Sequence, residues 1–250
     1  MERARFFKIQ FVYEASPEPS TRLTDAVLAI DLGLDNLATC VNSTDGSSFI
    51  IDGKSLKSIN HQYNARMAQL QSILDQQKLP RSEQMARITM NRNNQVHDYR
   101  MKVARYIINY CLANRIGTVI VGYNPEWKQG IHLGKRNNQN FVQIPHGQLR
   151  NQLENHCARN GIHYMEQEES YTSKASFLDE DPMPIWNGSH QAVTFSGTRV
   201  KRGLYRAANG QPLNADVNGG GNILRKSNHR LDFERVARGL LANPLRVKLT

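Results

Sequence analysis

Three acids stand where carboxylates can work together. Asp31 closes the apolar run AVLAI (26–30), Glu168 follows IHYMEQ (162–167), and Asp216 opens the stretch DVNGGGNILRK. Carboxylates delivered to one point by different elements are hard oxygen ligands for a pair of Mg²⁺ or Mn²⁺ ions about 3.5–4 Å apart, with room left for water and phosphate. Without cations between them, three such groups repel one another strongly. Taken singly, Asp31 and Asp216 read equally well as turn or helix-capping residues, the commoner role of a lone aspartate. Composition does not choose between these readings.

Basic residues point to the partner. The chain carries 32 Lys and Arg against 22 Asp and Glu, a formal charge of +10, which favours a polyanion whose condensed counterions are released on binding. Arg199, Lys201, Arg202 and Arg206 form an acid-free cluster shortly before Asp216. Tyr123 and Trp127 are placed to stack on bases, with Lys128 beside them for phosphate, although aromatics are more often buried. Arg87, Arg92, Arg100, Lys102 and Arg105 lie on a predicted helix, where a solvated face is as good a reading as a nucleic-acid surface. The histidines show no H-E-x-x-H spacing, and GYNPEWKQG lacks the G-K-[ST] of a phosphate loop. Cys40, Cys111 and Cys157, scattered and odd in number, fit buried thiols rather than a disulfide framework or a cysteine zinc site. No apolar run reaches the roughly 18 residues of a membrane span, and the charged N-terminus does not read as a signal peptide, so a cytoplasmic, nucleoid-associated location is expected.

The elements that must position these residues follow from periodicity. Phe7, Ile9 and Phe11 alternate as in a strand; 26–30, LATCVN and SSFII read as further strands, with a turn at Thr44-Asp45-Gly46. Leu56, Ile59, Tyr63, Met67, Leu70 and Ile73 mark one face of a helix over about 55–78, Pro80 breaks it, and a second helix runs from about Ser82 to Asn114. TVIVGY (118–123) is a strand, 143–160 a helix, 162–167 a strand, and 199–213 a hairpin turning at Asn209-Gly210. Asp216 starts a helix despite its three glycines, and a basic tail follows from Ser227. Strands first, then strand and helix in alternation, is an α/β pattern with a mixed sheet.

In order along the chain, AIDLGLDNLAT, VIVGYNPEWKQ, EESYTSKASFLD, RVKRGLYRAANG and NADVNGGGNILRK resemble the RuvC-like C-terminal half of the TnpB family, transposon-encoded RNA-guided DNA nucleases related to type V CRISPR effectors. The resemblance runs from about residue 5 to 227. It implies an RNase H-like (RuvC-like) mixed sheet flanked by helices, with one nuclease domain over 1–226, a long two-helix insertion at about 55–114, a loop and hairpin insertion at about 172–213, and a separate tail over 227–250. It also implies a metal-dependent DNA endonuclease using two Mg²⁺ or Mn²⁺ ions, with DNA, a guide RNA and a separate recognition subunit as partners. The alternatives are a catalytically silent nucleic-acid-binding regulator or partner subunit descended from such a nuclease, and an inert transposon remnant.

Carried over residue by residue, Asp31 matches the first catalytic aspartate and Asp216 the third acid. The second acid departs from the pattern: the Glu that usually ends the strand TVIV is replaced here by Gly122-Tyr123-Asn124. Either the enzyme is dead, or the acid has moved to the neighbouring strand. Glu168 is favoured by its distance from Tyr171, with Glu169, expected on the opposite strand face, and Glu126, in a loop, as alternatives. The family's four-cysteine zinc knuckle is also missing, because 174–213 holds no cysteine, so no zinc is expected and packing of Phe177, Trp186 and Tyr205 has to hold that region. Only 30 residues precede Asp31, where family members carry a guide- and target-recognising portion, so DNA binding by this chain alone is expected to be salt-sensitive and poor at discriminating sequence.

Overall fold

A computed structural model of the chain describes residues 9, 11–12, 14, 24–124, 144–185, 193–233, 236 and 239–249. The strand expected around Phe7–Phe11 falls largely outside these, and Ile9 and Phe11 are exposed. The elements are β1 (Thr24–Leu32), β2 (Asn36–Asn42), β3 (Ser48–Asp52), α1 (Lys54–Gln76), α2 (Glu83–Ala113), β4 (Ile116–Tyr123), α3 (His146–Arg159), β5 (His163–Glu168), β6 (Thr198–Lys201), β7 (Leu204–Arg206), β8 (Pro212–Leu213), α4 (Ala215–Lys226) and β9 (Leu245–Val247).

Six strands form one mixed sheet in the order β5-β4-β1-β2-β3-β9. The meander β1-β2-β3 is antiparallel, while β4 joins β1, β5 joins β4, and β9 joins β3 in parallel. A continuous apolar run suits β1, because a central strand is covered on both faces. Its alternate side chains then serve two cores. Leu28, Ile30 and Leu32 pack with Val103, Ile107 and Cys111 of α2 and Leu149, Leu153 and Cys157 of α3. Val27 and Ala29 face the other way, with Phe177, Tyr205, Val217 and Ile223. All three cysteines are buried and unpaired. Among the described residues no helix is long and apolar enough to cross a membrane.

The two helices expected over about 55–114 are α1 and α2. Ser82 caps α2 by accepting the Met85 N–H at 3.3 Å, and the buried residues of α2 all lie from Val96 onward. Its cations are largely spoken for within the chain: Arg92 bonds Asn60 and lies over the Tyr63 ring, Lys102 pairs with Asp98, and Arg100 bonds Gln148 and Gln152. Those residues fit a solvated helical face.

Two expectations need correction. The residues after Ser227 are not a detached tail: Leu231 and Leu241 are buried in the α4-side core, and Leu245–Val247 pairs with β3 as the edge strand. Its apolar positions are short and flanked by Arg246 and Lys248, which hides the strand signal. The single hairpin over 199–213 is instead a three-stranded sheet, β6-β7-β8. Gly203, at φ +77°, allows the tight turn between Lys201 and Leu204, and Gly210, at φ +82°, serves the next one.

Among the described residues, the region where a zinc knuckle would sit is tied by acids. The buried Asp181 carboxylate accepts the Ser176 N–H at 2.7 Å, the Ser196 N–H at 3.0 Å and the Ser196 hydroxyl at 2.6 Å. Asp179 accepts the Ser176 hydroxyl at 2.5 Å and the Ala208 N–H at 2.8 Å, while the Tyr205 hydroxyl donates to the Lys174 carbonyl. Phe177 and Tyr205 are buried as expected, and Trp186 lies outside the described residues. Charge-assisted bonds of this kind are worth about 1.5–3 kcal/mol each when their donors would otherwise go unpaired. Asp181→Ala should therefore cost roughly 2–4 kcal/mol in thermal unfolding, while a zinc chelator should leave the wild-type Tm in place. About one zinc per chain by elemental analysis would contradict that expectation.

Candidate active site

Strand parity decides which acids meet. Asp31 is in phase with Val27 and Ala29 on β1, so its carboxylate belongs to the face covered by α4. There it lies under Gly219, where an added Cβ would sit 2.5 Å from Asp31 Oδ2. The neighbouring glycines are equally confined, Gly220 against Val41 and Gly221 against the Phe177 ring. The glycines that weaken α4 as a helix are what let it lie directly on the strands.

Asp216 sits in the first turn of α4. Asn214 caps that helix, its side-chain oxygen accepting the N–H groups of Asp216 at 3.0 Å and Val217 at 3.3 Å. The Asp216 carboxylate accepts the Asn36 amide at 2.5 Å through Oδ2 and faces Arg199 at 3.8 Å through Oδ1.

On β4, Ile120 packs in the α4-side core, and Gly122 is two residues on, so it shares that face. A Cβ on Gly122 would lie 2.6 Å from Glu169 Oε2 and 2.6 Å from Ile223 Cδ1. The Glu169 carboxylate thus occupies the space beside Gly122, the position at which the family resemblance leads one to expect a strand-end Glu. Its backbone N–H, one residue beyond β5, still bonds the Tyr123 carbonyl of β4 at 3.2 Å. Met165 packs on the same side, which puts 165, 167 and 169 in phase with Asp31.

Glu168 is differently engaged. Its carboxylate pairs with Lys226, whose side chain is only 7% exposed, and accepts the Ser170 N–H at 2.6 Å. Burial alone would raise its pKa, but the bonds from Lys226 and Ser170 outweigh this and hold it below the usual glutamate value. Lys226 also donates to the Ser170 carbonyl at 2.9 Å, so the pair closes the C-terminal end of α4 onto the turn after β5.

Burial, then the carboxylates of Glu169 and Asp216, push Asp31 well above the usual aspartate range, with Arg199 opposing. Burial, then Glu168, pushes Glu169 up to about 7, against the pull of Arg150 and Lys226. Among the described residues no hydrogen bond reaches the carboxylate of Asp31 or Glu169. Both residues are half-buried, and neighbouring half-buried carboxylates repel as ions, so a cation is the partner their chemistry calls for. As they stand, no three of the described His, Cys, Asp or Glu side chains close around a single ion. The proximity is pairwise, with Asp31 between Glu169 and Asp216.

A groove of about 660 Å³ opens beside Asp216, with Arg199, Arg202, Lys54, Arg246 and Lys248 on its walls. Of the basic cluster, Arg199 faces Asp216, Arg202 pairs with Asp35, and Lys201 and Arg206 are exposed. Tyr123 is half-buried, with the Arg150 guanidinium 4.0 Å from its ring centre, so one face is already stacked. Glu126, Trp127 and Lys128 lie outside the described residues. Sequence reasoning missed Asn36, Gly219 and Arg246. The parity of Ala29, Ile120 and Met165 was the available signal for Glu169.

Residues 10–128 match the family model OrfB_IS605, described as "Probable transposase", and residues 146–223 match the one described as "Cas12f1-like, TNB domain". The chain is TnpB-like. The mixed sheet of this TnpB-like chain, with its flanking helices, is similar in fold to the RuvC-like structures of Cas12f1. It superposes on a cryo-EM structure of a Cas12f1–sgRNA–target DNA complex with TM-score 0.53 and 17% identity, over 84% of this chain and 51% of that one. A cryo-EM CRISPR–Cas12f ternary complex gives TM-score 0.56 and 17% identity, over 86% and 40%. The TnpB-like chain therefore spans about half the length of the first and two-fifths of the second. No curated protein matches it in sequence.

Proposed function

We propose that the TnpB-like chain carries the catalytic domain of a divalent-cation-dependent endonuclease that hydrolyses phosphodiester bonds of single-stranded or unwound DNA. The acids are Asp31, Glu169 and Asp216, with Glu169 taking the place given to Glu168 by sequence spacing. The observation that carries this reading is Glu169 beside Gly122: the strand-end acid absent from β4 is supplied to the same side of the sheet from β5. When bound, Mg²⁺ or Mn²⁺ ions supply an activated water and stabilise the departing oxygen. The residues do the rest. Asp31, shared between Glu169 and Asp216, fixes both pairs on the rigid centre of the sheet. Asn214 fixes the first turn of α4 and with it Asp216. Arg199, Arg202, Arg246 and Lys248 line a groove suited to a phosphate backbone that opens at Asp216.

DNA and a guide RNA are the partners the reading implies, in an assembly fuller than this chain, with recognition supplied elsewhere. The second reading, a silent binder, rests on the departure at Gly122 and differs in outcome. Labelled single-stranded DNA incubated with Mg²⁺ or Mn²⁺, against EDTA, should be cut by the wild type alone. Asp31→Ala should lower the rate by about a thousandfold or more, since several kcal/mol of charge stabilisation go with the cation. Its DNA affinity should hold or rise, because one anion fewer faces the phosphates. Metal-independent or equal cleavage by both proteins would reject the site, and tight binding without any cleavage would favour the binder.

A further inference from the structure

We propose that Asn36 is the positioning residue for Asp216, and that Arg246 on the C-terminal strand β9 sets Asn36. This rests on the reading of Asp216 as a metal-holding carboxylate. Asp216 lies in the first turn of a helix, and its side chain needs an external bond to present one lone pair in a fixed direction. Arg199, at 3.8 Å from Oδ1, is a loose charge contact. The close bond is the one from the Asn36 amide N–H to Oδ2, at 2.5 Å.

An amide can rotate by half a turn and offer its oxygen instead. Here the surroundings forbid it. The Asn36 oxygen accepts from Arg246 Nη1 at 3.3 Å, and a guanidinium can only donate. The ionised Asp216 can only accept. Asn36 therefore stands between a donor-only and an acceptor-only group, and a side-chain amide is the short group that satisfies both at once. Sheet register brings Arg246 within reach: β9 pairs Arg246 with Ile50 of β3, and β3 pairs Asp52 with Asn36. Bonds that orient a metal-holding side chain typically change metal affinity by about 10–100-fold when removed.

The test is Mn²⁺ binding to the full chain, followed by the paramagnetic signal of free Mn²⁺, with DNA cleavage measured in parallel. Asn36→Leu should weaken Mn²⁺ binding by about tenfold or more, while its metal-free Tm stays close to wild type. Arg246→Ala should weaken binding several-fold, Arg246→Lys should restore most of it, and Arg246→Ala should add nothing in the Asn36→Leu background. The sign is diagnostic, because a cation near the metal acting only through its charge would give tighter Mn²⁺ binding on removal. Arg246 is exposed, so its variants read the same contact if Asn36→Leu fails to fold. Asp216→Asn is the control for the underlying reading. If it loses Mn²⁺ and Asn36→Leu does not, the positioning role is wrong and the site stands. Tighter binding by Arg246→Ala, or an equal loss in both backgrounds, overturns the role of Arg246. A wild type that takes up no Mn²⁺, or an Asp216→Asn variant that binds like it, overturns both.

Discussion

Glu169→Gln should slow metal-dependent DNA cleavage by about a thousandfold or more, and Glu168→Gln, one residue away, should change it only a few-fold. The two acids also predict opposite effects on stability. Glu169 is a half-buried carboxylate without a hydrogen-bond donor among the described residues, so a neutral amide relieves repulsion from Asp31 and leaves the metal-free protein as stable or more so. Glu168 neutralises a buried ammonium, and removing its charge leaves Lys226 bonded to neutral acceptors only, the amide oxygen and the carbonyls of Ser170 and Pro184. Breaking one partner out of a buried pair costs about 3–5 kcal/mol, lowered here because the Glu168 side chain is 28% exposed. Rates and melting temperatures of both variants settle the assignment together. A Glu168→Gln protein that melts normally but no longer cuts would restore the assignment made from sequence spacing.

Metal-free protein should lose stability as pH rises from about 5 to 8, and divalent cations should restore it mainly at the upper end. Asp31 and Glu169 are both raised, so the folded state holds protons that the unfolded chain releases near the ordinary carboxylate values. Their contribution is fully present below those values and is lost as pH climbs through the folded ones, about 7 for Glu169. For Glu169 the difference from 4.5 corresponds to at most about 3 kcal/mol, which in a chain of this size is a Tm fall on the order of 5–10 °C. Glu169→Gln and Asp31→Asn should each flatten the curve. Bound Mg²⁺ replaces the protons, so its stabilising effect grows with pH. A metal-free Tm that climbs from about pH 5 to 8, or a Mg²⁺ effect independent of pH, would show that these carboxylates are not a coupled, cation-seeking pair.

The central sheet was legible because its strands are long apolar runs and its helices carry a clear three-and-four repeat. Asp31 and Asp216 were legible for a related reason, since each stands at the boundary between an apolar run and a polar turn. Glu169 was harder. Spacing from Tyr171 favoured Glu168, but distance along a chain says nothing about which face a side chain takes, and a shift of one residue reverses the face. Phase with Met165 carried that information. The edge strand β9 escaped because three residues framed by cations have no period to measure. Asn36 and Arg246 escaped because a positioning bond joins residues far apart in the chain. The tie of Asp181 to Ser176 and Ser196 escaped similarly, because polar residues in a loop give no sign of which will be buried.

The glycines of α4 also bear on when the chain can act. Three of them in a helix of 12 residues cost about 1 kcal/mol each relative to alanine, and a helix that short is marginal alone. The segment bearing Asp216 has no stable helical form until the sheet exists for it to lie against. A nascent or partly unfolded chain therefore holds Asp31 and Glu169 without their third partner. Folding is itself the assembly step of the proposed nuclease, and loss of the α4 contact would disarm it.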